Sequence, residues 1–200
     1  AETKGLAPEL SLVFPVLDEE DNLSELIAGA CKVGEELEVS FEVIIVNDGS
    51  EDESAQIIDA WAARDPRIRP IHHASNSGYG AALRTGLSEA RGNQIFFSDA
   101  DLQFDLDQLR NLLVHSPDYD IVAGYRSPRR DPWPRSLIAG LWGVGVRIIF
   151  GLRIRDIDCA FKLFDRRVIE TIPLASVGAF INTELLVRAQ ASGFRIRQVP

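Results

Sequence analysis

Two aspartates separated by a single residue, Asp99 and Asp101, directly follow the apolar run 95–97. Alternate residues of an extended segment point to the same side, so both carboxylates can face one site. Two negative charges at such a short distance are unfavourable unless a cation compensates them. A hard divalent ion such as Mg²⁺ or Mn²⁺ binds carboxylates together with substrate phosphates. The pattern therefore predicts a metal site of Asp99, Asp101 and Gln103, the last of which is next in phase and adds a carbonyl oxygen or orients a metal-bound water.

Asp48 stands at the end of a second apolar run, Phe41–Val46. Its carboxylate can cap a helix that begins near Ser50, or it can accept hydrogen bonds from a nucleobase or a ribose. The two interpretations are compatible if neighbouring residues share the work, and binding of a ligand is favoured.

The segment Asn76–Gly80 precedes a predicted helix and superficially resembles a phosphate-binding loop. It lacks the lysine and the spacing of a P-loop and the preceding strand of a dinucleotide fingerprint. Its glycines, Gly78 and Gly80, are predicted to allow close packing against a nucleoside. His72 and His73 lie at a strand end with no third ligand in sight, so a structural role is favoured over metal binding.

Segments that alternate between strand-like and helix-like patterns position these side chains. The predicted strands are Leu10–Val16, Phe41–Val46, Arg67–His72, Gln94–Ser98 and Asp120–Ala123. The predicted helices are one opened by the acidic run Asp18–Asp21, one from a capping box of Ser50 and Glu53 through Ala63, and then Ala81–Ala90 and Asp105–Val114. Strands separated by helices of this length imply parallel βαβ units in a doubly wound sheet, which is an α/β fold.

Polar residues follow four of the five predicted strands. They are Asp18 and Glu19, Asn47 and Asp48, Asp99 and Asp101, and Arg126. In doubly wound folds the ligand lies outside the carboxyl ends of the strands. We therefore expect these side chains to converge on one edge of the sheet.

Composition and charge exclude several classes of protein. Hydrophobic residues make up 46% and charged residues 26% of the 200 residues, which is typical of a globular domain. The two cysteines, Cys31 and Cys159, give no disulfide framework. The net charge of -9 hides an acidic front half, since residues 1–125 hold 8 Lys/Arg against 24 Asp/Glu. Such a surface would repel backbone phosphates, so no nucleic-acid partner is expected.

The remaining residues are basic, with 13 Lys/Arg against 6 Asp/Glu in 126–200. The segment Leu137–Leu152 is apolar and rich in glycine, and Arg147 interrupts it. It is too short and too charged for a comfortable membrane span. Nearby arginines and tryptophans suit a membrane interface, while a core helix packed on the sheet is an equally open interpretation.

Several short segments occur together in one order along the chain. They are Phe14–Glu19, Val46–Ser50, Asn76–Gly80, Asp99–Gln103, Ala123–Arg126, Trp133–Arg135, Asp156–Phe164, Asn182–Leu186 and Gln198–Pro200. In that order they resemble family 2 glycosyltransferases, and most of all the dolichyl- or polyprenyl-phosphate sugar synthases. The resemblance implies the GT-A fold, a doubly wound, mainly parallel (mixed) sheet with helices on both faces. It covers essentially the whole chain as one catalytic domain, with a nucleotide-sugar half at about 1–125 and an acceptor and membrane-proximal half at about 126–200.

The resemblance also implies roles for individual residues. The nucleotide-sugar-binding residues would be Pro15, Val16, Glu19, Asp48, Gly78, Asp99 and Ala100. Asp99, Asp101 and Gln103 would hold Mg²⁺ or Mn²⁺. Arg126 and Arg135 resemble the arginines that grip the acceptor phosphate or the donor diphosphate, and Asp156 resembles the acid that opens a motif ending in phenylalanine. The catalytic set would thus be Asp101, Arg126, Arg135 and Asp156.

The implied reaction is inverting transfer of a hexose from a nucleoside diphosphate sugar to a polyprenyl phosphate. That acceptor is already an anion, so it needs no general base; for an alcohol acceptor, Asp156 or Asp158 would be the candidate base. UDP-glucose is favoured over GDP-mannose because Cys159–Phe164 resembles dolichyl-phosphate glucosyltransferases. The expected location is the cytoplasmic face of a membrane, peripherally or through segments outside these residues.

Three other functions are weighed against this one. A family 2 transferase could glycosylate a soluble or protein-bound hydroxyl. A nucleotide-sugar sensor would bind the donor without turnover. A receiver-type domain also gathers carboxylates at strand ends, but it is much shorter and leaves 126–164 unexplained.

Overall fold

The computed structural model describes residues 7–126, 150–152 and 154–200. Three sequence predictions lie outside these residues: the role of Arg135, the loop 127–134 and most of the apolar segment that ends at Leu152. Among the residues that are described, no helix has the length and apolar character that a membrane crossing needs.

Seven strands form one mixed sheet. They are β1 (Leu10–Val16), β2 (Phe41–Asn47), β3 (Ile68–His72), β4 (Gln94–Ser98), β5 (Ile121–Gly124), β6 (Phe161–Asp165) and β7 (Ile196–Val199). Their order across the sheet is β3-β2-β1-β4-β6-β5-β7. Only the pairs that involve β6 are antiparallel. The predicted doubly wound, mainly parallel sheet is therefore confirmed.

The strands are accompanied by α-helices, six of which lie wholly within the described residues. They are α1 (Glu20–Glu36), α2 (Ser54–Ala62), α3 (Tyr79–Glu89), α4 (Leu109–Leu113), α5 (Arg166–Thr171) and α6 (Ile181–Ala191), with a 3₁₀ turn at Leu106–Gln108 before α4. The predicted helix Asp105–Val114 is thus shorter and begins as a 3₁₀ turn.

Alternate residues of the central strands face two separate cores. Leu12 and Phe14 of β1 pack with α1, α2 and α4, whereas Val13 packs with α3, α5 and α6. All seven residues of β1 and of β2 are buried. Apolar residues on both faces of a strand are what a sheet covered by helices on both sides requires.

The sequence reasoning was wrong about the start of α2. Ser50 and Glu53 do not form a capping box, and no side chain caps this helix at Glu53. The hydroxyl of Ser50 instead accepts a hydrogen bond from the backbone N–H of Asp18, and Ser54 N–H donates to Asp52. The Ser50 hydroxyl thus bonds to a residue 32 positions away. This hydrogen bond connects the loop after β1 to the loop after β2.

Parallel pairing brings the polar strand ends to one edge. β1 pairs with β2 through Val16 opposite Asn47 and with β4 through Val13 opposite Phe97. β5 runs in the same direction as β4, because both are antiparallel to β6. Asp48, Asp99 and Arg126 therefore follow strands that end at the same edge of the sheet, as predicted.

Candidate active site

A cavity of about 260 Å³ opens at the carboxyl ends of β1, β2 and β4. Its lining consists of Pro15, Val16, Leu17, Glu19, Asp48, Tyr79, Ala82, Asp99, Ala100 and Asp101. Six of the seven residues predicted to bind the nucleotide sugar are in this lining, and the seventh, Gly78, is not. The structure thus brings together residues that lie up to 86 positions apart in the chain.

Asp99 and Asp101 reach this cavity together. Oδ1 of Asp99 is buried and has no hydrogen-bond partner among the residues that the structure describes. Burial raises the pKa of Asp99; the neighbouring Tyr79 hydroxyl lowers it, and the negative charge of Asp101 raises it further. A buried carboxylate with an unused oxygen beside a second acid is a costly arrangement for the protein alone.

The same pair fits a hard divalent cation. Carboxylate oxygens are the ligands that Mg²⁺ and Mn²⁺ prefer, and Mg²⁺ is usually held by one or two carboxylates plus substrate phosphates. Within 7–126, 150–152 and 154–200 no group of three or more His, Cys, Asp or Glu could hold a metal ion. Substrate oxygens and water commonly take the other positions around such a cation.

Gln103 does not share the cavity of the two aspartates, and the reasoning that placed it in phase with them is wrong. Leu102 has a φ of 56°, which interrupts the extended alternation after Asp101. The N–H of Gln103 donates to Oδ1 of Asp101 at 3.2 Å, and its side chain lines a second cavity next to the first. Ligation of a metal by Gln103 stays a prediction.

Asp48 does not cap a helix at Ser50. Its Oδ1 accepts from the Ser77 N–H at 3.0 Å and lies 2.6 Å from Nδ1 of His73, while Oδ2 accepts from the Gly78 N–H at 2.8 Å. Nε2 of His73 in turn lies 3.0 Å from the Thr85 hydroxyl. His72 likewise contacts Asn47 and Asp59, so the structural role predicted for both histidines is confirmed.

Gly78 and Gly80, at the start of α3, lie in close contact with the protein backbone. Gly78 has a φ of 97°, and a Cβ there would lie 2.5 Å from the carbonyl oxygen of Val177. A Cβ on Gly80 would lie 2.6 Å from the carbonyl oxygen of Ser176. Close approach of the 176–178 backbone is therefore one reason for these glycines, and packing of Gly78 against a nucleoside stays a prediction.

Most backbone N–H groups at the start of α3 already donate to protein acceptors, so few of them remain to bind a phosphate. The Ser77 and Gly78 N–H groups donate to Asp48, and the Gly80 N–H donates to the carbonyl of Val177 at 2.8 Å. Anion sites at helix N-termini depend on N–H groups that have no partner. This agrees with the prediction that the loop only superficially resembles a P-loop.

Arg126 lines the second cavity, which has a volume of about 210 Å³, and it pairs with Asp156 behind the lining. Nε of Arg126 donates to Oδ2 of Asp156 at 2.9 Å, and Nη2 donates to Oδ1 at 3.1 Å. Asp156 is only 3% exposed, whereas the Arg126 side chain is 31% exposed. A paired fork of this kind fixes the guanidinium plane, so the buried acid orients an arginine that also lines the cavity.

The sequence reasoning missed three polar side chains beside Asp99. Tyr79 lies next to Asp99 and Asn182, and Nζ of Lys162 donates to Oδ1 of Asn182 at 2.9 Å. Lys162 is fully buried, which lowers its pKa to about 8. In the sequence, Lys162 stands out as a single lysine among the apolar residues of the strand Phe161–Asp165. An apolar run of this kind indicates burial.

Glu184 secures the loop against which the start of α3 packs. Its carboxylate accepts the Ser176 N–H at 2.8 Å and the Ala175 N–H at 3.1 Å, and Arg188 donates to it at 2.9 Å. Burial raises the pKa of Glu184, but these donors outweigh burial and bring the pKa down to about 2. The acid thus holds residues 175–176 beside Val177, which in turn accepts the Gly80 N–H.

Substitution E184Q is expected to lower the free energy of unfolding at neutral pH by about 2 kcal/mol, the usual range for hydrogen bonds to a charged group. Because the folded pKa of about 2 lies below the ordinary 4.5, the carboxylate stabilises the fold above pH 4.5 and loses that effect as the pH falls towards 2. Denaturant unfolding across this range measures it, with E170Q at an exposed helix position as the matched control. An E184Q deficit that stays constant with pH would contradict the assignment.

Comparison with known proteins identifies relatives of this chain. The sequence profile described as "Glycosyl transferase family 2" matches residues 11–172. The chain is 34% identical to "Glycosyltransferase AglD" of Haloferax volcanii, over 96% of this chain and 32% of that protein. It is 30% identical to "Undecaprenyl-phosphate 4-deoxy-4-formamido-L-arabinose transferase" of Sodalis glossinidius, over 82% of this chain and 51% of that protein. The chain therefore spans about a third to a half of the curated relatives it matches.

A solved structure of glucosyl-3-phosphoglycerate synthase from Mycobacterium tuberculosis with UDP superposes with a TM-score of 0.74 at 20% identity, covering 96% of this chain and 69% of that one. A structure of the same enzyme with Mn²⁺, UDP and phosphoglyceric acid gives a TM-score of 0.72 at 22% identity, covering 96% and 68%. At this identity the likeness concerns the fold, and it confirms the GT-A architecture predicted from the sequence.

Proposed function

The chain belongs to glycosyltransferase family 2, and from this membership we propose that it moves a hexose from a nucleoside diphosphate sugar to a polyprenyl phosphate, with inversion at the anomeric carbon. The observation that carries the proposal is the shared cavity of Asp48, Asp99 and Asp101, with Arg126 fixed by Asp156 beside it. The names of the curated relatives support a polyprenyl phosphate as the acceptor.

The nucleoside would lie between the ends of β1 and β2, against Pro15, Val16 and Asp48. The ribose and diphosphate would then extend towards Asp99 and Asp101 at the end of β4. A bound Mg²⁺ or Mn²⁺ would neutralise the charge that develops on the leaving diphosphate. The Mn²⁺ and UDP bound in the structure of the mycobacterial enzyme support a divalent cation together with a UDP donor.

Arg126 would hold phosphate oxygens next to the departing diphosphate. A guanidinium fork matches phosphate oxygens in pairs, and Asp156 sets its plane. Since both oxygens of Asp156 already accept from Arg126, this acid is poorly suited to remove a proton from an acceptor. A phosphate acceptor is an anion and needs no such base, so we infer that Asp156 positions Arg126. Asp158 is exposed and stays the candidate base for an alcohol acceptor.

Asp48 supports uridine as the donor nucleoside. A carboxylate has about four acceptor positions, and the backbone of the loop and His73 fill both positions of Oδ1 and one of Oδ2. One position remains, which suits the single imide N–H of uracil. Guanine presents an N–H and an amino group side by side and would need both oxygens. A UDP-sugar is therefore the favoured donor, and glucose as its sugar rests on the resemblance of Cys159–Phe164 alone.

Association with a membrane surface is part of the same proposal. The proposed acceptor is a lipid, the residues 126–200 carry an excess of Lys and Arg, and the relative from Sodalis glossinidius is named an undecaprenyl-phosphate sugar transferase. A basic surface attracts the anionic leaflet of a membrane. The division into a nucleotide-sugar half at about 1–125 and an acceptor half at about 126–200 stays a proposal, since residues of both halves line the second cavity.

The proposal is tested by incubating the protein with Mn²⁺, undecaprenyl phosphate and a panel of labelled UDP- and GDP-sugars, scored for lipid-linked product. We expect product from a UDP-hexose at a rate at least about tenfold above any GDP-sugar, the ratio that one unpaired hydrogen-bonding group of about 1.4 kcal/mol gives. Product that forms only on a soluble hydroxyl acceptor would favour the alternative transferase. Binding of donor without any product would favour a sensor.

A further inference from the structure

Three buried polar side chains connect Asp99 to the antiparallel strand β6. Lys162 of β6 lies opposite Phe97 of β4 in the ladder, two residues before Asp99. Its ammonium donates to the carbonyl of Cys159 and to Oδ1 of Asn182 in α6, and it lies 5.2 Å from the centre of the Phe97 ring. Tyr79, the first residue of α3, brings its hydroxyl between Asn182 and Asp99.

The chemistry of these groups fixes the direction of every hydrogen bond they can form. A lysine ammonium can only donate, so the amide oxygen of Asn182 faces Lys162 and its NH₂ group is left for the other side. A carboxylate can only accept, so Tyr79 must donate to Asp99 and accept from Asn182. The order from Lys162 to Asn182, Tyr79 and Asp99 is the one arrangement in which each donor meets an acceptor.

Both links of the Tyr79 hydroxyl, to Asn182 and to Asp99, are open in the structure. The Tyr79 hydroxyl and Oδ1 of Asp99 are both buried, and neither has a hydrogen bond of good geometry among the described residues. Two neighbouring buried atoms with complementary needs are unfavourable until they pair. Burial of the Lys162 ammonium is unfavourable as well, because the described part of the chain places no carboxylate within ion-pair distance of it.

We propose that Tyr79, oriented by Asn182 and Lys162, is a positioning residue that donates its hydroxyl proton to Asp99 and so presents the other carboxylate oxygen to the cation. This assignment rests on the proposed function, since it concerns the same site. Hydrogen bonds to ligating carboxylates are known to set their orientation, and their loss typically lowers metal affinity or activity 10–100-fold, roughly.

The decisive variant is Y79F, which removes one oxygen atom. Because that oxygen has no satisfied hydrogen bond in the structure, Y79F is expected to keep or raise the melting temperature. In the presence of saturating UDP it should nevertheless raise the dissociation constant for Mn²⁺ about tenfold, measured by electron paramagnetic resonance of free Mn²⁺. Y119F makes the same chemical change at a tyrosine beside Arg197, remote from the cavity lining, and should bind Mn²⁺ like the wild type.

Lys162 provides the second arm of the test. K162M keeps the length of the side chain and removes its charge, and we expect it to weaken Mn²⁺ binding in the same direction. In the double variant with Y79F the two losses should not add, because both interrupt one chain of hydrogen bonds.

Different results would contradict the role of Tyr79, the link through Asn182 and the proposed function. Mn²⁺ binding by Y79F that equals that of the wild type would overturn the role of Tyr79 and leave the proposed function intact. Fully additive losses in the double variant would overturn the link through Asn182. A wild-type protein that binds no Mn²⁺ together with UDP would overturn the proposed function, and this inference with it.

Discussion

D101N is expected to lower the rate of sugar transfer by about a hundredfold to a thousandfold, the usual effect of removing one group that stabilises charge in the transition state. The substitution keeps the size of the side chain and removes one of the two charges that face the cavity. Asp99 alone, with one oxygen buried, would hold a divalent ion far more weakly. The leaving diphosphate would then depart without its counter-charge.

Lipid-linked product formed per minute at saturating donor measures this effect, alongside calorimetric titration of UDP in the presence of Mn²⁺. D107N is the matched control, because Asp107 is an exposed acid in the same region and lines neither cavity. Both the rate and the Mn²⁺-dependent part of UDP affinity should fall in D101N and persist in D107N. Full activity in D101N would remove Asp101 from the metal site.

R126K should lower kcat/KM for the acceptor about a hundredfold, at the lower end of the effect of losing one charge-stabilising donor. Lysine keeps the positive charge but loses the fork that pairs with Asp156 and with phosphate oxygens. The affinity for UDP should change much less, because Arg126 lines the second cavity and not the one that contains Asp48.

Steady-state kinetics with varied acceptor, and UDP titration of the same preparations, separate these two effects. R110K changes an exposed arginine that pairs with Glu36 of α1 and lines neither cavity, and it should behave like the wild type. D156N should show the same selective loss as R126K if the acid acts by orienting the arginine. Unchanged acceptor kinetics in R126K would exclude Arg126 from the phosphate site.

The sequence predicted the front half of the fold closely, for reasons that are local. Leu10–Val16 and Gln94–Ser98 have the bounds that were predicted from their apolar runs. These strands are buried on both faces, so burial leaves a continuous signal in the sequence. The convergence of Asp48, Asp99 and Arg126 followed from the rule that parallel strands end at one edge.

The sequence could not predict features that depend on distant partners. β6 enters the sheet between β4 and β5 and runs against both, and nothing in the pattern of Phe161–Asp165 indicates that position. The hydroxyl of Ser50 was expected in a local capping box and instead meets Asp18. The glycines at 78 and 80 were assigned to a ligand, and they also admit the backbone of residues 176–178, nearly a hundred positions away.

In the candidate site, too, local spacing predicted some features, whereas others depend on residues that lie far apart in the chain. The pair Asp99 and Asp101 was identified from spacing alone, whereas Gln103 left the common side because Leu102 adopts a left-handed backbone conformation. Tyr79, Asn182 and Lys162 come from three separate elements, and only the folded chain brings them beside Asp99.

The most direct measurement is the anomalous scattering of manganese in crystals of this protein grown with Mn²⁺ and UDP. We expect one strong peak in the cavity at the end of β4, within bonding distance of an oxygen from each of the two aspartates and of the UDP phosphates. A peak bound elsewhere, or UDP lying in that cavity with no manganese beside it, would contradict the assignment of these carboxylates to the cation.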